Sequence, residues 1–456
     1  MFIPMVFPPS FLTDQLCLAD MAADGGDIWV AYSGGLDSRV LLQLALEAGL
    51  NAEGRLKAVH IDHGLQADAE GWVHHCRSVC DRLGIALQVH RVVVGSGDSL
   101  ENQARIARYR VFESLLGEGD LLLQGHHADD QAETLLLRLM RGSGARGLAS
   151  IPQARSLGRG CLFRPLLGHT RQQLERYAAD SGLSWIEDPT NADTVYDRNF
   201  LRAQVLPALK QRWPAAAMSI GRSARHSADA LKLCEELAAI DLQCCQRADG
   251  GLSVESLAEL SNHRRNNLLR YWLHMLAGVL ADAARLQRLW VEVALAQADA
   301  QPAMQFGVFW LRRFESELYL LPEQPMLDTE QIWNWVVESR RELQLPGGRL
   351  RAELRIGQGL ALPESGLFRV GHRRGGERIR LPGRNGSQSL KKLLQQSRIA
   401  PWRRQQLPLL YDQERLVAVA DLWIAEGCLA GPEQPGVELD WTPLDASAAK
   451  PSDNDF

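Results

Sequence analysis

Along the first 140 residues, short apolar runs alternate with longer stretches whose apolar positions recur every three to four residues. The first pattern marks buried strands and the second marks amphipathic helices. Residues 27–32 form an apolar run ending in a glycine turn, and 36–48 carry helical spacing. Residues 56–61 read as a strand, 69–83 as a helix, 85–94 as a strand and 99–116 as a helix. Residues 120–124 then read as a buried strand and 129–141 as a helix. This alternation predicts an α/β fold, a doubly wound parallel sheet with helices on both faces. Such sheets bind ligands at the carboxyl ends of their strands.

Beyond residue 141 the pattern changes. Residues 142–168 are rich in Gly, Arg and Ser and read as a loop, and 170–181 read as a helix with Thr170 as its N-cap. After Trp213 and Pro214 an Ala- and Leu-rich stretch of helical spacing runs to about residue 298, followed by strands over 305–321 and a linker over 322–330. Residues 332–439 suggest a small mixed α/β domain, and 440–456 lack periodicity and read as a disordered tail. The expected domains are therefore 1–214, 215–322 (mainly helical) and 332–439. No internal repeat stands out.

Composition narrows the class. A chain of 456 residues, 46% hydrophobic and 23% charged, is ordinary for a soluble protein and too long for one core. No apolar run is long enough to span a membrane, and the N-terminus lacks the basic start of a signal peptide. The eight cysteines form no CxxC pair, so the cytoplasm is expected rather than a disulfide framework. Cys76 and Cys80, near His74 and His75, read as ordinary helix residues rather than metal ligands. The net charge of −5 hides an asymmetry: residues 138–164 and 198–226 each hold six basic residues and no acid. Residues 368–404 hold eleven basic residues against one Glu. Gathered positive charge of this kind favours a polyanion partner.

Ser33-Gly34-Gly35-Leu36-Asp37-Ser38 lies directly after the first strand and opens the first helix. Glycines let backbone amides approach phosphate oxygens, and a helix N-terminus favours anions. Asp37 is out of place beside a phosphate unless a cation intervenes, and Mg²⁺ held by a carboxylate and phosphates meets that need. No Walker A sequence is present. Gly142 to Gly147 matches a dinucleotide-binding spacing by letter but follows a helix, so it is set aside. After the fourth strand comes Gly125-His126-His127-Ala128-Asp129-Asp130-Gln131-Ala132-Glu133-Thr134. On a helix His126, Asp130, Glu133 and Thr134 share a face. Capping by Asp129 and Asp130 accounts for the Asp pair, but not for the histidines or Glu133.

The Ser33–Ser38 segment resembles the SGGxDS signature of the N-type ATP pyrophosphatases, the PP-loop family, whose fold is adenine nucleotide α-hydrolase-like. The His126–Thr134 block resembles one branch of it, the tRNA(Ile)-lysidine synthetases. So do His60-Ile61-Asp62-His63-Gly64-Leu65, the helix from Ala104 to Arg110, Asp188-Pro189-Thr190-Asn191 and Arg198-Asn199. The segments from Arg374 to Arg378, Lys391 to Leu394 and Pro401 to Arg404 are similar to that branch's C-terminal tRNA-binding domain.

The resemblance implies ATP and Mg²⁺ as cofactors, free L-lysine as a substrate, and an isoleucine tRNA with a CAU anticodon as partner. It implies ATP binding by Ser33, Gly34, Gly35, Leu36, Asp37 and Ser38, with Asp37 and Asp130 as metal ligands. Arg105 or Arg108 would meet α-phosphate charge and His126 would hydrogen-bond it. Glu133 and Arg198 would hold the lysine, in a pocket shaped by Asp188 and Asn191. Arg373, Arg374, Arg378, Lys391, Lys392, Arg403 and Arg404 would contact tRNA. Asp62 and His63 either form a strand-end turn or contact nucleotide, and Trp402 fits a core better than a base stack. No general base stands out, and a homodimer is left open. A tRNA thiolase would call for paired cysteines, and a non-catalytic tRNA-binding protein would not need both motifs intact.

Overall fold

The computed structural model describes residues 7–8, 10–18, 25–64, 69–93, 100–188, 194–297, 300–323, 327–384 and 386–443. Asn191 and the tail from residue 444 lie outside them. The chain divides into two compact units, residues 1–237 and 238–452. The division falls inside a long helix rather than at Trp213–Pro214.

The first unit contains, in order, Phe11–Leu18 (α1), Ile28–Ala31 (β1), Leu36–Glu47 (α2), Leu56–Asp62 (β2), Ala69–Leu83 (α3) and Ala86–Arg91 (β3). Leu100–Leu115 (α4), Leu121–Leu123 (β4), Ala128–Met140 (α5), Ala145–Leu148 (α6), Ala154–Leu157 (β5) and Gly160–Phe163 (β6) follow. Arg171–Asp180 (α7), Asp197–Phe200 (α8), Leu206–Arg212 (α9) and the part of Ala216–Cys245 (α10) before residue 238 complete it, with a π-helical turn at Leu201–Val205. The sheet order is β3-β2-β1-β4-β6-β5, with only β5 antiparallel. Successive residues of β1 serve opposite faces, as a doubly covered sheet requires. Ile28 and Val30 pack with Val40, Leu41 and Leu44 of α2. Trp29 packs instead with Tyr109 and Phe112 of α4. The chain leaves β1 toward β2 on one side and joins β4 on the other. The gap between the carboxyl ends of β1 and β4 is therefore a topological switch point, where such sheets bind ligands.

Residues 142–168, expected as a loop, contain α6 and the β5–β6 hairpin on the sheet edge. The glycines that suggested a loop mark close backbone approach instead. A Cβ on Gly158 would stand 2.6 Å from the Glu113 carbonyl oxygen, and one on Gly160 would stand 2.5 Å from that of Asp120. Thr170 caps α7 in a reciprocal box with Gln173, as its position predicts.

In the second unit, helices Val254–Glu259, Asn262–Ala277 and Ala283–Arg288 pack on an antiparallel sheet of Leu252–Ser253, Glu317–Pro322, Phe309–Phe314 and Ala303–Phe306. Trp272, Leu286, Phe306, Leu311 and Leu318 are in that core. From Ile332 to Pro443 the regular structure is mostly strand, with helices Leu390–Gln396 and Pro401–Gln406. Its last strand, Pro435–Pro443, runs four residues into the segment read as tail, because it pairs along Gly348–Ile356. Trp402 is buried, edge-on to Phe314 (5.9 Å) and against Tyr319 (5.5 Å). No helix among the described residues is long and apolar enough to cross a membrane.

Candidate active site

The loop after β1 is held by its own hydroxyls. Ser33 N–H donates to Ser38 Oγ, Ser38 Oγ donates to the Gly35 carbonyl, and the two hydroxyls lie 3.0 Å apart. Gly34 has φ +86°, and a Cβ there would press on Cys76 Sγ at 3.0 Å, so glycine is required on two counts. Gly125, at the end of β4, has no room either: its Cβ would stand 3.0 Å from the Asp37 carbonyl. The two sequence blocks thus meet backbone to backbone at the switch point.

His127, not the Asp pair alone, caps α5. His127 N–H donates to Asp130 Oδ2, and Nδ1, 3.4 Å from Asp130 N, accepts from it when the ring is neutral. The cap position and the carboxylates around the ring together account for the histidine that carboxylate capping left over. His127 is also a charge node: its Nε2 lies 3.6 Å from Asp37 Oδ1 and 3.5 Å from Asp130 Oδ2. Burial works against its charge, but Asp130, Asp37 and Asp129 outweigh burial and raise it to about 9. Asp129 itself is turned to Lys210 and to the Arg171 N–H.

The shift carries a pH prediction. His127 is raised in the folded protein above its unfolded value of about 6.5, so its stabilisation is complete below that pH. It is lost as pH rises through about 9. Between pH 6.5 and 9.5 wild type should lose on the order of 3 kcal/mol more stability than His127→Asn, whose amide still caps the helix. Denaturant melts of both proteins at the two pH values measure the difference. An equal loss in both would remove His127 as its source.

Asp37 Oδ1 is buried and has no hydrogen-bond partner among the described residues. An orphaned carboxylate oxygen beside a phosphate-type loop fits a divalent cation. Asp130 fits less readily, because Oδ1 accepts from Arg198 and Arg202 and Oδ2 from His127. Burial opposes its charge, but His127 and Arg198 hold it well below the usual carboxylate range. Among the described residues no three His, Cys, Asp or Glu side chains form a metal cage. Mg²⁺ does not require one when phosphates supply other ligands.

Glu133 and Arg198, expected to receive opposite ends of one substrate, are joined to each other. Glu133 is 0% exposed. Its Oε2 accepts from Arg198 Nε at 2.7 Å, and its Oε1 from Arg202 Nε at 2.8 Å. Arg202 sits in the π-helical turn, outside the sequence motifs that mark the site. Its signal was the Arg-x-x-x-Arg spacing from Arg198, which faces both guanidiniums the same way. Asp188 is half-buried.

Arg105 and Arg108, alternatives in the sequence, part company here. Arg108 Nη2 lies 3.2 Å from His63 Nε2, and burial followed by Arg108 pushes His63 down to about 4. Arg105 stacks over Tyr109 at 5.1 Å and is near enough to His126 to help lower its basicity. Asp62 forms the strand-end turn, accepting from Gly64 N–H, and pairs with Arg91. His126 precedes α5 and accepts a hydrogen bond at Nδ1 from Arg164 Nε, 3.2 Å away.

The basic C-terminal residues sort into two groups. Arg373 pairs with Glu377, Arg374 with Glu330 and the Thr329 carbonyl, Arg378 with the Ser387 carbonyl and Arg404 with the Ile399 carbonyl. Lys391, Lys392 and Arg403 are exposed, with no ion pair among the described residues.

Residues 13–209 match the model of the PP-loop domain, 252–319 that of the TilS substrate binding domain and 368–441 that of the TilS substrate C-terminal domain. The tRNA(Ile)-lysidine synthase of Pseudomonas putida is 44% identical over 403 residues, covering 86% of this chain and 92% of that protein. That of Coxiella burnetii is 39% identical over 419 residues, covering 91% and 93%. That of Methylococcus capsulatus is 40% identical over 428 residues, covering 92% and 97%.

Proposed function

The chain belongs to the tRNA(Ile)-lysidine synthases, and from that premise we propose how its site divides the work of the reaction. The enzyme is an ATP-dependent ligase that forms lysidine on tRNA(Ile). Carbon 2 of the wobble cytidine is first activated by AMP transfer to its oxygen, releasing pyrophosphate. The ε-amine of lysine then attacks that carbon, and AMP leaves.

The observation that carries the assignment of parts is the meeting of the Asp37 and Gly125 backbones, with His127 between Asp37 and Asp130. In our reading the amides of Gly34 and Gly35 and the hydroxyls of Ser33 and Ser38 take up charge on the departing pyrophosphate. Asp37, with Asp130 beside it, would hold Mg²⁺, which when bound offsets phosphate charge. Arg105 and His126 meet the α-phosphate.

Lysine enters by exchange of ion pairs. Its carboxylate draws Arg198 off Glu133, and Glu133 receives its α-ammonium, leaving the ε-amine free to react. Asp188 and Asn191 border that pocket. Asp130, held ionised by cations, is a poor base. Desolvation of the amine itself then lowers its pKa for attack.

Purified protein with ATP, Mg²⁺, labelled lysine and CAU-anticodon tRNA(Ile) tests the whole scheme. Lysine incorporation and AMP release should each require both ATP and tRNA. AMP release without incorporation would overturn the lysine assignment.

The tRNA contacts are assigned to Lys391, Lys392 and Arg403 rather than to the engaged arginines. Changing all three to Ala should flatten the salt dependence of tRNA affinity by about three phosphate contacts. Arg374→Ala should leave that slope within about one contact of wild type. Equal slopes for the triple variant and wild type would move the contact surface elsewhere.

A further inference from the structure

Arg164 is a buried cation whose hydrogen-bond partners among the described residues are all neutral. It lies between the end of β6 and the 3-10 helix Pro165–Gly168, 2% exposed. Nη1 donates to the Pro152 carbonyl at 2.7 Å, Nη2 to Tyr109 Oη at 3.1 Å, and Nε to His126 Nδ1 at 3.2 Å. Tyr109 Oη passes the chain on, donating to Gln124 Oε1 at 3.2 Å. Burial pushes the guanidinium down to about 10, so it stays protonated at neutral pH. A guanidinium kept dry without a carboxylate contact is costly, and a site is the usual place for such a cost.

The chemistry at His126 follows from the donor. A guanidinium only donates, so the ring nitrogen facing it must carry a lone pair. The proton of a neutral imidazole is then confined to Nε2. That nitrogen has no hydrogen-bond partner among the described residues. Burial first, and then Arg164, push His126 down to about 3, which keeps the ring neutral. Tyr109 and the Pro152 carbonyl fix the guanidinium plane, so the direction of the Nε2–H bond is fixed with it.

We propose that Arg164 is a positioning residue that holds His126 as the Nε2–H tautomer, so that the ring offers a neutral donor, never an acceptor, to the nucleotide. The inference deepens the placement of His126 against the α-phosphate and rests on it. A neutral donor aimed at charge that grows in the transition state stabilises it without taking the proton away. Asp130, close enough to influence His126, would favour the charged ring. Arg164 answers that pull from the other side.

Two measurements keep this inference separate from the reading beneath it. Nitrogen-15 NMR of the wild-type protein should show His126 as the Nε2–H tautomer, unchanged from pH 5 to 9. An Nδ1–H ring or an imidazolium at neutral pH would overturn the role of Arg164, whatever the activity. The second is a kinetic cycle on cytidine adenylation. Arg164→Met should lower kcat by about 10²-fold with little change in the KM for ATP, and Arg164→Lys, which keeps a donor, should recover part of it. In His126→Gln the amide nitrogen is a donor without help, so adding Arg164→Met should cost less than about threefold more. Independent, multiplying losses would mean that Arg164 acts elsewhere. Full activity in His126→Ala would sink the placement of His126 while leaving the tautomer result standing.

Discussion

Asp37→Ala should abolish AMP release, with a loss of at least about 10³-fold in the presence of ATP, lysine and tRNA(Ile). The expectation begins with a misfit. A carboxylate at the first turn of α2 suits the helix dipole but repels a phosphate bound at the same N-terminus. Asp37 does not resolve the misfit by pairing locally. Its Oδ1 is buried with no hydrogen bond among the described residues, and the nearest cation, His127, stands 3.6 Å off. Either the side chain serves only to hold His127, or it takes a divalent ion with the nucleotide. The neutral isostere separates the two roles. If the ion is bound, Asp37→Asn should shift the half-saturating Mg²⁺ concentration upward by at least about tenfold, with partial recovery of AMP release at high Mg²⁺. If the residue only anchors His127, the Mg²⁺ dependence will match wild type and the Mg²⁺ assignment falls.

How much of the fold and the site is legible in the sequence depends on the kind of interaction. The parallel sheet was legible because β1, β2 and β4 are buried on both faces and the helices between them keep their period. The glycines of the Ser33–Ser38 loop were legible as a phosphate loop, because few other demands place two glycines between a strand and a helix. The β5–β6 hairpin was not, since its strands carry Arg and Ser at an exposed edge and its glycines mimic a loop. His127 as cap was hidden for a similar reason: histidine is a rare cap beside two aspartates that cap well. Arg164 and Arg202 were invisible as site residues. Their importance comes from burial against His126 and Glu133, 38 and 69 positions away, which no local pattern records. Conversely, Arg374 and Arg404 looked like nucleic-acid contacts because charge is visible in sequence and carbonyl partners are not.

Glu133→Gln should lower kcat/KM for lysine by about 10²- to 10³-fold while tRNA-dependent pyrophosphate release falls by less than about tenfold. The substitution preserves volume in a side chain that is fully enclosed, so packing is held constant. What changes is charge. Two guanidiniums, Arg198 and Arg202, then face Asp130 alone, and an amide that also donates cannot serve both of them. In the resting site Glu133, like Asp130, is an anion shared by that pair, and exchange requires Glu133 twice. It must release Arg198 to the substrate carboxylate, and it must then accept the substrate ammonium. A neutral amide releases Arg198 more easily but offers the ammonium no counter-charge, so the net effect on lysine is a loss. Arg202→Met tests the converse, since it removes a competitor for Glu133 while leaving Arg198 for the carboxylate. Its KM for lysine should rise by less than about fivefold, against at least about fiftyfold for Arg198→Met. Equal penalties for the two arginines would mean that the substrate meets them as a symmetric clamp, and the exchange of Arg198 off Glu133 would have to be abandoned. A Glu133→Gln enzyme that joined lysine at the wild-type rate would place the lysine site away from α5 altogether.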